Sequence, residues 1–185
     1  AKPNTDTKYT VKFWQQPVND STDPDKYAFI SSTEKSGTTD TNTTLDFASA
    51  EFTNKYVGFH VSTVNVPENA NINGDGSTII NVYYDRNTHS VTLKAAQIQV
   101  SIDGGTPSAT EVTKIDILYG ASVNIAADID TGYIFKSWTY NNPQGDVLTG
   151  AATYTLQVLD SDIVLQANTA PSQFTSYTVE HQQEQ

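Results

Sequence analysis

Apolar and polar residues alternate along Thr7–Gln16. Tyr9, Val11 and Phe13 fall on one face, and Thr10, Lys12 and Trp14 on the other. Period two predicts a strand with one buried side. Asn19–Asp25 gathers Asn, Asp, Ser and Pro and predicts a turn. Tyr27–Thr33 predicts a second strand that ends near Gly37. The period then changes over Thr43–Tyr56, where Leu45, Ala48, Phe52 and Tyr56 recur three to four positions apart. That spacing lays an apolar stripe along one side of a helix. Thr43 and Asp46 form the carboxylate version of a capping box, and Gly58 lies just past the expected end. Gly58–Asn65 returns to alternation, and Asn71–Gly76 is a turn. Thr78–Asp85 is a strong strand, with Ile80, Val82 and Tyr84 on one face and Ile79, Asn81, Tyr83 and Asp85 on the other. Strand-strand-helix-strand-strand is the element order of a β-grasp domain, closing here near Arg86.

The second half predicts no helix. Val91–Ile102 reads as one strand and Asp103-Gly104-Gly105 as a tight hairpin turn. Further strands are expected over Lys114–Leu118, Ser122–Ala127, Tyr133–Tyr140, Thr153–Val158 and Ile163–Ala167. Short strands spaced by roughly 8–12 residues, with Gly and Asn between them, suit a small all-β or β-grasp-like unit. The expected fold class is therefore mainly β (α+β), as two tandem β-grasp-like modules. Residues 1–6 are a lead segment. Residues 7–87 are a β-grasp module with one short helix, and 88–170 a module that is all-β or nearly so. Residues 171–185 open a further repeat. There Tyr9-Thr10-Val11 recurs as Tyr177-Thr178-Val179, and Gln15-Gln16 is echoed by Gln182-Gln183. The simplest account is a piece of a tandem array with a unit of about 170 residues.

Composition narrows the function classes. Of 185 residues, 37% are hydrophobic and 17% charged, which suits a packed core and not a disordered chain. The formal net charge is −11, so nucleic-acid phosphates and anionic lipid surfaces repel the chain, and direct contact with either is not expected. No apolar stretch approaches the roughly 20 residues that span a bilayer. The absence of cysteine excludes thiol catalysis, Cys-ligated zinc and disulfide frameworks.

Candidate chemistry is sparse. His60, His89 and His181 sit in different elements, none with a second ligand at metal spacing, and each reads as a surface or structural residue. Asn71-Ile72-Asn73-Gly74-Asp75-Gly76 imitates the start of an EF-hand loop, but the twelfth position is Val82 where a bidentate Glu is needed. A turn with glycine at positive φ accounts for it better. No nucleophile elbow, Walker loop or dinucleotide glycine pattern is present. Carboxylates are plentiful, yet nothing singles out the two that a glycosidase would hold about 5–10 Å apart in a cleft. No enzymatic activity and no cofactor are expected.

The aromatic residues are more informative. Tyr133, Phe135 and Trp138 are expected in the core, where large rings supply most burial. Trp14 is different, because it falls opposite Tyr9, Val11 and Phe13. Tyr83 likewise falls opposite Ile80, Val82 and Tyr84. The first and last strands of a β-grasp sheet are neighbours, so Trp14 and Tyr83 are expected to share the solvent face of one sheet. An exposed aromatic pair is a platform for a sugar or a partner side chain. The plainer account is a cross-strand pair that serves the sheet, or a cover for a neighbouring module.

Several stretches carry a family resemblance. Tyr9-Thr10-Val11, Tyr27 after an Asp-rich turn, Gly37-Thr38-Thr39, Tyr56-Val57-Gly58-Phe59 and the run from Asp75-Gly76-Ser77-Thr78 to Tyr83-Tyr84-Asp85-Arg86 resemble the mucin-binding-protein-like repeats of Gram-positive surface proteins. Residues 93–170 resemble a divergent Listeria–Bacteroides-type B-repeat, through Gly104-Gly105, Tyr119-Gly120, Gly132-Tyr133-Ile134-Phe135 with Trp138, and Asp162-Ile163-Val164-Leu165-Gln166-Ala167-Asn168. The resemblance implies β-grasp-like modules strung along a secreted, wall-anchored adhesin that acts outside the cell. The implied partners are host mucin, another glycoprotein or a host protein, together with neighbouring repeats, the chain itself being a monomer. Two other functions fit the same residues: a stalk spacer without a ligand, and an accessory module of a secreted glycan-active enzyme.

Overall fold

The computed structural model describes residues 2–18, 22–128, 132–159 and 161–173. The opening alternation folds as β1 (Thr7–Gln15), with Thr7, Tyr9, Val11 and Phe13 buried. β1 lies antiparallel to β2 (Ala28–Gly37) and parallel to β4 (Ile79–Arg86), and β4 pairs antiparallel with β3 (Phe59–Val61). The sheet order β2-β1-β4-β3 places the first and last strands of the unit side by side at its centre, the β-grasp arrangement. Its inner face buries Tyr9, Val11, Phe13, Ile80, Val82 and Tyr84 against Phe52, Phe59 and Ile72.

The segment across that inner face departs from the expected helix. Only α1 (Ala50–Thr53) is helical, with Ser49 at its N-cap. Upstream, Thr43 lies outside the helix and is joined to the 69–71 segment: its N–H donates to the Ala70 carbonyl at 2.8 Å, and its Oγ1 donates to Asn69 Oδ1 at 2.7 Å. The Thr43–Asp46 capping box does not form. Asp46 Oδ1 instead accepts from the Ala48 N–H at 3.0 Å, closing a turn ahead of α1. β-Branched threonines at 41, 43 and 44 disfavour a helix there. The core is nevertheless reached by Leu45, Phe52 and Tyr56, and by Phe47 where the stripe named the exposed Ala48. Gly58 is buried at φ 78, and a Cβ there would fall inside the Tyr119 ring.

The chain folds as two compact units. One holds the residues up to His89 together with Leu118–Ala121; the other holds Ser90–Ile117 and the residues from Ser122 on. Within the first, Tyr119 stands edge-on to Phe59 at 5.7 Å, and Arg86 donates to the carbonyls of Tyr119 at 2.7 Å and Gln16 at 2.9 Å.

Every regular element described in the second unit is a strand. β5 (Thr88–Lys94), β7 (Glu111–Leu118), β9 (Tyr133–Tyr140), β10 (Val147–Thr149) and β12 (Ile163–Pro171) form a sheet in the order β10-β9-β12-β5-β7. β6 (Gln99–Ile102), β8 (Ser122–Asp128) and β11 (Thr153–Gln157) form a second, in the order β11-β8-β6. Again the first and last strands of the larger sheet, β5 and β12, run parallel side by side. Val91, Leu93, Trp138 and Leu165 are fully buried, as are Val100, Val123 and Ile125 to within 1%. The single strand expected over Val91–Ile102 is two strands in different sheets. The break falls at Ala95–Ile98, where Gln97 takes φ 58. Asp103 and Gly104, at φ 49 and 69, make the tight turn expected there, with the Gly105 N–H donating to the Ile102 carbonyl at 2.9 Å.

Candidate functional site

Trp14 and Tyr83 are register partners across the parallel β1–β4 pair, on the side of the sheet turned away from the core. Each is half-buried. Their ring centroids lie 6.2 Å apart with planes inclined by 24°. The Trp14 indole N–H donates to Asn81 Oδ1 at 3.0 Å, which fixes the tilt of the indole. The sequence places this pair together, and the structure does so as well.

Two further rings extend the row. Phe29 stands edge-on to Trp14 at 5.4 Å, and Tyr27 edge-on to Tyr83 at 5.2 Å. Phe29 is 52% exposed, and Tyr27 is buried. Simple alternation along β2 puts Phe29 on the core side, because Ser31, Thr33 and Lys35 pair with the inward Phe13, Val11 and Tyr9. A β-bulge resets the register: Phe13 pairs with Ser31, and Trp14 with Phe29, leaving Ile30 as the extra residue. The outer face therefore carries Phe29, Trp14 and Tyr83 across three adjacent strands. One register row further along β1 come Ser32, Lys12 and Asn81.

Tyr27 anchors one end of the row. Its hydroxyl donates to Asp85 Oδ1, and Asn65 Nδ2 donates to the Tyr27 oxygen at 3.4 Å. Burial first, then the hydrogen bond to Asp85 and that carboxylate's charge, push the Tyr27 pKa up to about 12. The row thus combines apolar ring area with hydrogen-bonding groups at its margin, the composition that suits a sugar or an aromatic partner side chain.

The other candidates are structural. His60 Nδ1 lies 2.9 Å from Asn87 Oδ1 on the exposed side of β3, His89 is partly buried, and His181 lies outside the described residues. The Asn71–Gly76 segment is a closed turn. The Gly76 N–H donates to the Asn73 carbonyl at 3.0 Å, and Asp75 Oδ1 accepts from the Ser77 N–H at 2.9 Å. The hydrogen bonds from Ser77 hold the Asp75 carboxyl below the ordinary range. Among the described residues no group of three His, Asp or Glu side chains converges on a metal position, and no helix is long and apolar enough to cross a membrane. The recurrence at Tyr177-Thr178-Val179 and Gln182-Gln183 lies outside the described residues.

No family model matches the sequence, and no curated protein matches it. Three solved structures are similar. The type 2 repeat of the mucus binding protein MUB from Lactobacillus reuteri is 12% identical, with 88% of this chain and 100% of that chain covered and a TM-score of 0.34. A pilus-presented adhesin, Cpa, is 13% identical over 50% of this chain and 30% of that chain, with a TM-score of 0.26. The shaft pilin SpaA from Lactobacillus rhamnosus GG is 8% identical over 94% of this chain and 100% of that chain, with a TM-score of 0.25.

Proposed function

We propose that this chain is a non-enzymatic repeat of a secreted, wall-anchored adhesin, and that the outer face of its first sheet contacts mucin glycans or a glycoprotein. The observation that carries this reading is the row Phe29–Trp14–Tyr83, aromatic side chains from three adjacent strands on one outward face. The sequence resemblance to mucin-binding-protein-like repeats supports it. Single-site affinity on such an open face is weak, and tandem copies multiply it. The test is binding of the full chain to immobilised mucin and to a glycan array. Replacing both Trp14 and Tyr83 with Ala abolishes the signal while the chain still folds at the binding temperature, which circular dichroism checks; the rings are only half-buried, so their loss lowers the melting temperature without emptying the core. A wild-type chain that gives no signal on either surface defeats the proposal.

One observation favours a spacer instead. Each ring in the row packs against another ring, as cross-strand pairs do when they serve the sheet alone. On that reading the wild-type chain binds neither surface, and the Trp14→Ala, Tyr83→Ala double variant shows its whole effect in the melting temperature.

A further inference from the structure

We infer that the first unit carries a second site, a hydroxyl-lined pocket over Tyr9 that takes a neutral pyranose unit of a glycan. Tyr9 points to the core side of β1, away from the face that carries Trp14 and Tyr83, and five positions earlier in the strand. The pocket therefore stands whether or not the aromatic row binds anything.

The pocket measures about 260 Å³ and lies between the end of β2 and the 41–44 segment. Tyr9 and Ile72 line it together with Ser36, Thr38, Asn42 and Thr44. Tyr9 is 5% exposed, and the charged groups that act on its hydroxyl are Lys35, its register partner on β2, and Glu51. No sealed side-chain oxygen or nitrogen lacks a partner among the described residues, so the Tyr9 oxygen keeps access to solvent, and Tyr9 is one of the residues that line the pocket. Burial raises the Tyr9 pKa, and the group stays a neutral hydroxyl that both donates and accepts. The side chains of Thr38, Asn42 and Thr44 also stand at the pocket, whereas Ser36, the register partner of Lys8, turns its side chain to the outer face.

The walls are preformed. Thr41 Oγ1 donates to the Thr38 carbonyl at 2.8 Å, and the Thr43 N–H donates to the Ala70 carbonyl at 2.8 Å. Ile72 packs so closely beneath Gly37 that a Cβ there would collide with it. Preformed walls lower the ordering cost of binding.

The chemistry selects the ligand class. No Lys, Arg, Asp or Glu lines the pocket, and the Lys35–Glu51 pair beside Tyr9 is closed on itself at 2.6 Å, so the pocket favours neither an anion nor a cation. Hydroxyls and one amide pair with groups that donate and accept in turn, and the apolar ring of Tyr9 and side chain of Ile72 accept a C–H face. A pyranose presents both.

The experiment is a titration of the isotope-labelled full chain with galactose, glucose, N-acetylglucosamine and N-acetylgalactosamine, followed by NMR, with sorbitol as the open-chain control. At least one pyranose shifts the amides of Ser36–Thr44 with millimolar affinity, while sorbitol does not. Tyr9→Phe keeps the buried ring and removes only the hydroxyl, so the fold is kept; it weakens binding about tenfold, the value of one hydrogen bond. Asn42→Ala, on the opposite wall, weakens it several-fold. Absence of shifts in Ser36–Thr44 for all four sugars at roughly 10 mM, tenfold above a ~1 mM affinity, overturns the inference. So does a Tyr9→Phe chain that binds as tightly as wild type, or sorbitol acting like the sugars. Shifts confined to Trp14 and Tyr83 also overturn it, and they leave the aromatic row as the glycan site.

Discussion

Tyr27 ties the aromatic row into the fold. Its ring closes the row against Tyr83, and its hydroxyl gives the buried Asp85 a donor. Tyr27→Phe keeps the ring and removes that donor, leaving a carboxylate with a lost charge-assisted bond. The expected cost is about 1–3 kcal/mol by urea denaturation. The same bond gives a pH signature. The Tyr27 pKa is raised from the ordinary 10.0 to about 12. Below the unfolded value the ring is neutral in both states and its stabilisation is fully present. As pH rises from 10 toward 12 the unfolded chain releases the proton that the folded chain keeps, so stability falls. Tyr9 and Tyr84 are also raised by burial and add to the fall. Between pH of about 8 and about 11 the wild type loses stability more steeply than Tyr27→Phe; equal slopes would exclude this linkage. Of the row itself, Trp14 and Tyr83 were legible because parallel neighbours in register keep parity. Phe29 was not, because a single bulge residue, Ile30, inverts the parity of the strand beyond it. No alternation pattern announces where a bulge falls. The Tyr9 pocket was equally hidden, since it is made where the end of β2 meets a segment that the spacing assigned to a helix.

At the scale of elements, the strands and the presence of one short helix are legible, but the helix's extent is not, for one physical reason. Alternation is local, and a strand's neighbours confirm it, as in Ile79–Arg86, where Ile80, Val82 and Tyr84 all face inward. A three-to-four spacing of apolar residues reports only that a segment returns to the core repeatedly, and Leu45, Phe52 and Tyr56 do so through a turn and one short helix. The threonine-rich stretch before them bonds to the 69–71 segment instead of to itself. The break between β5 and β6 did leave a trace. Val91 and Leu93 are odd-numbered and Ile98, Val100 and Ile102 even-numbered, so the alternation changes phase across Lys94–Gln97. The α1 geometry gives a direct check. If a continuous helix carried Ala48 against the core, Ala48→Lys would be severe. In this structure Ala48 is exposed, and the substitution stays within about 0.5 kcal/mol of wild type. Phe52→Ala, at 1% exposure, costs about 3–5 kcal/mol. Equilibrium denaturation of the two variants measures both, and a large loss in the Lys variant would reinstate the longer helix.

For the whole molecule, the acidic charge and the division of the core set the behaviour. A net charge of −11 favours solubility, and with no cysteine there are no disulfides, so packing within each unit supplies the stability. The first unit is organised around Phe13, Phe52 and Tyr84, the second around buried faces that include Trp138 and Leu165. Two separate cores predict two calorimetric transitions, because all-or-none unfolding belongs to a single cooperative core. Phe52→Ala then lowers one transition and leaves the other in place. Leu165→Ala, which empties a fully buried site at a cost of about 2–5 kcal/mol, lowers the second alone. Segment Leu118–Ala121 makes the experiment sharper. It sits between β7 and β8 in the sequence, yet Tyr119 packs on Phe59 and accepts from Arg86 within the first unit. Tyr119→Ala should therefore lower the same transition as Phe52→Ala, although its neighbours in sequence belong to the second unit. A single transition that moves with every one of these substitutions would mean one cooperative core. A Tyr119→Ala chain that lowers the Leu165 transition instead would reassign the segment.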